Sequence, residues 1–373
     1  MRRILLTTTS FPRTQSDWQG VFIREMLAAL SRSNDTRMTY WGPHGPLPDL
    51  VETMSSEADV QFLQRLTDTG GIAHLLRSNP LSGGMAGLSL LRRLRQALQR
   101  NRHSHDLFHL NWLQSALAIP GNGNRALLTI LGTDYKLLEL PGVTALLRWR
   151  LARNSVVLAA NAQWMVPKLE TAFGDVAHQV TYVPFGIDKA FYQVTPQPAP
   201  VTRRWLTVLR LTRAKLGPLL DWTKNIASDT DEFHLIGPMQ DDITLPPWIH
   251  YHGPATPQQL LQEWYPGASA MITLSQHDEG RPQVLLEAMA SSLPVIASRI
   301  PAHADLLQST QGGLLIENEA DFCAAIKTLS DTRAQRALGA TARNAISRLY
   351  GTWDDCAERY QALYSKLLEE VNP

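Results

Sequence analysis

The chain has 373 residues, 44% of them hydrophobic and 18% charged, with a formal net charge of +1. That length exceeds one ordinary core and fits two domains, and the near-neutral balance gives no reason to expect a nucleic-acid partner. Two cysteines, Cys323 and Cys356, cannot build a disulfide framework or a cysteine-rich metal site. The opening MRRILLTTTSFP has an apolar run too short for a signal-peptide core, and no later stretch approaches a membrane span, so the expected location is the cytoplasm.

In chain order, short β-branched or apolar runs predict strands at 3–9, 38–42, 60–64, 107–111, 125–131, 155–161 and 180–184. A second series follows at 204–210, 232–237, 249–253, 270–275, 294–298 and 313–317. Helical patterns fill the intervals, and such alternation predicts α/β architecture with two parallel sheets. The proline-rich stretch 191–203 separates the two series and reads as a linker between domains 1–190 and 204–351. From 352 to 373 the pattern is helical, with Ala357, Tyr360, Leu363 and Leu367 on one face.

Charge is unevenly spread. Five arginines and no acid occupy 90–105, and three more arginines lie within 146–154. Leu90, Leu91, Leu94 and Leu98 share a helix with Arg92, Arg93 and Arg95. The pattern suits an anionic membrane surface, although taken alone it fits a core-facing helix with a solvated basic side somewhat better.

Three local patterns carry little. GNGNRA at 121–126 loosely matches a dinucleotide fingerprint but precedes a strand instead of a helix. His103, His105 and His109 lack supporting metal ligands nearby, and the adjacency of Ser275, His277 and Asp278 is no evidence for a triad.

The stretch HDEGRPQVLLEAMASSLPVIAS, 277–298, is more informative. A strand should end before it, at the carboxyl edge of its sheet, where open α/β sheets bind ligands. Pro282 suits the first residue of the next helix, whose first N–H groups form an anion site, and Gly280 permits close backbone approach. Glu287 then lies on the helix, placed to accept hydrogen bonds from a ribose, and Glu279 lies in the loop. The bare pair fits equally a helix-surface acid and an acid favoured by the helix dipole.

With its flanks, this segment resembles the E-G…E-A-M-A…P-V-I-A-S signature of family-four retaining glycosyltransferases, carried here by Glu279-Gly280, Glu287-Ala288-Met289-Ala290 and Pro294–Ser298. Arg281-Pro282 and Ser292 depart from it. LRLTRAKLG places Arg210 and Lys215 where the family grips the donor diphosphate, and Gly20 matches its first glycine-rich loop. The resemblance implies a GT-B fold: two Rossmann-like domains with parallel sheets facing across a cleft, and a helix at 352–373 crossing back to the first.

It further implies transfer of a sugar from a nucleotide-diphosphate donor with retention, no cofactor and no metal, to a glycan or lipid-linked acceptor. Bacterial surface polysaccharide or lipopolysaccharide synthesis is the expected setting, and the arginine-rich first domain is where peripheral contact with an anionic membrane would fall. Glu279, Arg210, Lys215 and Asp134 are the expected catalytic set. Gly20, Gly280, Arg281, Pro282, Glu287, His252, Gly253 and Leu131 are expected to bind the donor. Leu131 stands where relatives have a sugar-binding histidine, which points toward a 6-deoxy donor. The alternatives are a nucleotide-sugar epimerase and a catalytically silent sugar-nucleotide-binding partner.

Overall fold

The structure is a computed structural model that describes residues 1–14, 17, 19–72, 75, 78–197, 202–277 and 279–369. The chain divides into two compact units, Met1–Phe185 together with residues from Trp353 onward, and Gly186–Thr352.

The first unit is built on strands β1 (Arg2–Thr7), β2 (Thr36–Trp41), β3 (Glu52–Thr53), β4 (Leu107–Asn111), β5 (Arg125–Ile130), β6 (Ser155–Ala160) and β7 (Gln179–Tyr182). They form a parallel sheet in the order β3-β2-β1-β4-β5-β6-β7. Successive side chains of a strand point to opposite faces, so Leu5 enters one core and Ile4 and Leu6 the other. With both faces covered, the strands read as continuous apolar runs.

Around this sheet pack α1 (Val21–Ser31), α2 (Glu57–Asp68), α3 (Pro80–Asn101), α4 (Val143–Leu151) and α5 (Val166–Phe173). The strand expected at 60–64 is part of α2. Val60, Phe62 and Leu63 satisfy either period, but Ser56 and Asp59 form a reciprocal capping box that starts a helix, and Leu63 and Leu66 turn inward. The third strand is instead the two-residue β3.

The second unit repeats the plan with β8 (Arg203–Val208), β9 (Asp231–Ile236), β10 (Ile249–Tyr251), β11 (Ala270–Thr273), β12 (Val295–Ser298) and β13 (Gly313–Ile316), ordered β10-β9-β8-β11-β12-β13. Its longer helices are α6 (Gln283–Ala290), α7 (Pro301–Thr310), α8 (Glu319–Leu329) and α9 (Thr332–Leu349). The expected linker at 191–203 is only partly a connector. Phe191 and Val194 are buried in the second unit's core, so that unit begins at Gly186, and residues 198–201 lie outside the described residues.

The helix expected at 352–373 is α10 (Trp353–Glu369), and it completes the first unit. Tyr360, Tyr364 and Leu367 are buried with Ile4 and Leu6 of β1. His109 stands between Tyr364 Oη, 2.6 Å from its Nδ1, and Thr129 Oγ1, 2.8 Å from its Nε2. Thr129 Oγ1 in turn lies 2.9 Å from Tyr360 Oη. Complete burial lowers the His109 pKa to about 3, so the ring is neutral and works as a hydrogen-bonding strut.

Candidate functional site

Both sheets reverse direction of growth between their first and fourth strands, and the crevice beyond the carboxyl ends of those strands is the general ligand position of such folds. In the second unit these strands are β8 and β11. Beyond β8 the chain passes Leu209 and Arg210 and forms one helical turn, Arg213–Leu216, capped by Thr212 Oγ1 accepting from Lys215 N at 3.3 Å.

This turn lies against the segment leaving β11. Gln276 N donates to Ala214 O at 2.8 Å. A Cβ on Gly217, which has φ +55°, would stand 2.1 Å from Leu274 O, so only glycine fits there. A second tight spot joins β9 to β8, where a Cβ on Gly237 (φ +137°) would lie 1.8 Å from Leu209 O.

The approach brings Lys215 Nζ to 2.9 Å from Glu279 Oε1, both side chains about 15% exposed (15% and 14%). Ser275 Oγ makes a longer 3.4 Å contact with the same oxygen. Ser298 Oγ, at the carboxyl end of β12, donates to Ser275 O at 2.6 Å and holds the two strand ends together. His303 on α7 lies beneath. Its Nδ1 is 2.9 Å from Ser298 O and must carry the proton, leaving Nε2 a buried lone pair without a hydrogen-bond partner. Burial lowers the His303 pKa, partly opposed by the nearby Glu279 charge. A hollow of about 510 Å³ opens beside this cluster, lined in part by Ser275, Gln276, Ser298, Arg299 and Glu317.

Arg281 is only 1% exposed in its side chain and pairs with Asp305 on α7. Its Nε and Nη1 have no hydrogen-bond partner, and its guanidinium lies 5.5 Å from the centroid of the Tyr350 ring. The pair anchors the loop that carries Glu279 and Gly280 to the next helix. Pro282 is the N-cap residue, one position before the place expected for it, and α6 begins at Gln283. Gln283 Nε2 donates to Gly186 O at 2.7 Å. Glu287 is half-buried on α6, near enough to the buried Tyr265 hydroxyl to raise its pKa beyond the effect of burial.

His252 and Gly253 follow β10. His252 Nε2 is 2.9 Å from His234 Nδ1, and its ring lies 4.4 Å from that of Trp264. Burial, then the neighbouring imidazoles, hold His234 down at about 4 despite a 3.2 Å contact from its Nε2 to Glu232.

The first unit places its expected residues differently. Gly20, φ +71°, precedes α1, and a Cβ there would stand 2.9 Å from the backbone of Ser10 and Phe11. Asp134 is 4% exposed, and its carboxylate accepts from Gly132 N at 2.8 Å, Leu113 N at 2.9 Å and Leu131 N at 3.1 Å. Burial raises its pKa while these amides pull the other way. These amides fix the carboxylate within the loop. Leu131 is half-buried and packs against the core of α1 and α10.

Lys215, Glu279, Gly280 and Arg281 therefore form one cluster, with Arg210 entering the same loop system. Ser275, Ser298, His303 and Asp305 complete it without having been expected. Ser275 precedes the signature and Ser298 is its last residue, whereas His303 and Asp305 lie on the following helix and carry no spacing signal. Among the described residues no group of three or more His, Cys, Asp or Glu is placed to hold a metal ion.

Comparison with known proteins agrees with this geometry. The whole fold is similar to sucrose-phosphate synthase from Thermosynechococcus elongatus, with TM-score 0.74, 16% identity and 99% of this chain and 100% of that chain covered. An E. coli trehalose-6-phosphate structure bound with UDP-2-fluoro glucose gives TM-score 0.71 at 14% identity, covering 98% of this chain and 99% of that one. Anabaena HepE in complex with UDP and glucose gives 0.67 at 13%, covering 98% and 100%. The fold is GT-B.

More particularly, residues 204–332 match the family model of the glycosyl transferases group 1, so the second unit carries a domain of that family. A D-inositol 3-phosphate glycosyltransferase from Thermomonospora curvata is 31% identical over 121 residues, 32% of this chain and 28% of the relative's length.

Proposed function

We propose that the protein is a retaining glycosyltransferase that moves a sugar from a nucleotide-diphosphate donor to a glycan or lipid-linked acceptor. The observation that carries this reading is the Lys215–Glu279 pair at 2.9 Å, set at the switch point of the second sheet. An ammonium has three N–H donors and this contact uses one, so Lys215 can still meet a diphosphate. When the bond from the anomeric carbon to the diphosphate oxygen breaks, negative charge grows on the leaving group and positive charge on the sugar. Lys215, Arg210 and the first amides of α6 answer the former, and Glu279 the latter. Glu287 takes the ribose, the region of His252 and Gly253 the base, and the first unit the acceptor.

The reaction needs no cofactor or divalent metal in this scheme. A donor in the UDP, GDP, ADP or dTDP series, hexosyl or 6-deoxyhexosyl, serves bacterial surface polysaccharide or lipopolysaccharide assembly. Thermal-shift and donor-hydrolysis assays across those four series test the proposal. Stabilisation by one series, with hydrolysis that persists in EDTA and disappears in the Lys215→Ala protein, is the expected result. Stabilisation by a donor that is never consumed, even with acceptor extracts, supports instead a silent nucleotide-sugar-binding partner. Loss of turnover in EDTA, restored by magnesium, would overturn the metal-free scheme.

A further inference from the structure

Helix α3 is where the sequence invites a membrane reading, and the structure assigns its leucines differently. Leu90, Leu94 and Leu98 are buried in the first unit's core, so they serve packing. Arg93 pairs with Asp59 at 3.1 Å, and Arg100 also reaches Asp59, at 3.4 Å. Arg92 and Arg95 aside, the residues that suggest a bilayer in the sequence are occupied in holding α3 to the core and to α2.

Another set is not. Leu81, Met85 and Leu88 are 82%, 64% and 71% exposed. Their spacing of four and three puts them one above another on a single outward face. That face continues through Arg92 and Arg95, both exposed. It therefore changes along its length from apolar to cationic. A Cβ at Gly84, beside the apolar stretch, would meet nothing within 4 Å, so this side of the helix is open among the described residues. From Thr69 to His105 the sequence holds no acidic residue at all.

A second apolar patch adjoins the cationic end. Arg95 Nη1 donates to Ile119 O at 3.0 Å and Arg150 Nη1 to Gly121 O at 3.3 Å, so α3 and α4 meet over the same short segment. On α4, Leu146 is 50% and Trp149 46% exposed, and the guanidiniums of Arg150 and Arg153 each lie 4.5 Å from the Trp149 ring centroid. An exposed tryptophan beside arginines is the composition of a membrane-interface belt.

We infer that the outward face of α3, Leu81–Met85–Leu88 leading into Arg92 and Arg95, is a docking surface for an anionic lipid bilayer, with Trp149 as a second anchor. The apolar end enters the acyl boundary while the arginines remain at the level of the phosphate headgroups. A second protein would have to bring a carboxylate-rich surface to the cationic half. An anionic bilayer supplies apolar and negatively charged layers together, in the order this face presents them. The inference deepens the proposed function by placing the enzyme where a lipid-linked acceptor resides.

Flotation with vesicles of phosphatidylcholine mixed with phosphatidylglycerol, without any donor, tests the inference separately from transfer. The full chain should float with the mixed vesicles at low salt and much less with pure phosphatidylcholine. The Leu81→Ser, Met85→Ser, Leu88→Ser protein should lose about tenfold or more in partitioning while its melting temperature and donor hydrolysis stay unchanged. A Leu88→Trp protein should show a blue-shifted emission that brominated lipids quench. Equal flotation of the triple variant, or no flotation of the parent protein, would overturn the proposal. So would a dimer in solution that the triple variant dissociates without any vesicle binding.

Discussion

The two units share one strand order around their switch points, yet they arrange their buried titratable side chains differently. In the first unit two of them, His109 and Asp134, are held within the scaffold. His109 is held between Thr129 and Tyr364, and Asp134 is filled by three backbone amides. In the second unit a lysine, a glutamate, an arginine, an aspartate and a histidine crowd one sheet edge, with nitrogens of Arg281 and His303 left unmatched. Matched polar groups stabilise a fold. A dense edge of partly matched charges costs stability and is kept where chemistry needs it. Topology is thus the common frame, and the loops at the carboxyl ends separate a scaffold from a donor site.

The largest expected effect divides the units directly. Lys215→Ala should lower kcat/KM by about 10²- to 10³-fold, the magnitude typical of removing one group that stabilises the leaving charge, while the protein stays folded. Asp134→Asn should do the reverse. It should cost about 1–3 kcal/mol of stability in a denaturant melt, with turnover per folded molecule nearly retained. A fully folded Asp134→Asn protein without turnover would return Asp134 to the reacting groups and break the comparison.

The next effect is one of pH. The His109 pKa is about 3 in the folded chain against 6.5 for an ordinary histidine, so the unfolded state binds the proton first. Its stabilising contribution is complete above about 6.5, is lost as pH falls, and is exhausted near 3. A His109→Gln protein should show a visibly shallower fall of melting temperature from pH 6.5 to 4. An unchanged slope would mean that the strut does not titrate with folding.

The smallest effect concerns Ser292, which ends α6 in a left-handed conformation, φ +61°. Ser292→Gly should raise stability by about 0.5–1 kcal/mol, read as a melting-temperature gain of a few degrees at constant activity. A loss of stability there would mean that the serine side chain gives more than its backbone costs.

Much of this was legible in the sequence because it rests on period and spacing. Ile4, Leu5 and Leu6 read as a strand buried on both faces, and Glu279 to Ser298 read as strand end, loop, helix and strand. What could not be read depends on contacts between distant elements. Val60 to Leu63 fit two periods until Ser56 and Asp59 closed a cap. Phe191 and Val194 sit in a proline-rich stretch yet find a core. The Leu113 amide that binds the Asp134 carboxylate comes from a separate segment, which no spacing shows. His303 and Asp305 reach the site from the next helix, where no local pattern announces them.

The helix α10 has a consequence for the order in which the molecule is made. The first unit needs Tyr360, Tyr364 and Leu367 to close the core around Ile4 and Leu6, but these residues leave the ribosome only after all of Gly186–Thr352. All strands of the second unit are made before α10, whereas the face of the first sheet that α1 covers in part stays incomplete until α10 arrives. Nascent chains stalled before Trp353 should therefore expose the β1 strand to chaperones and proteases while the donor-binding half is already resistant.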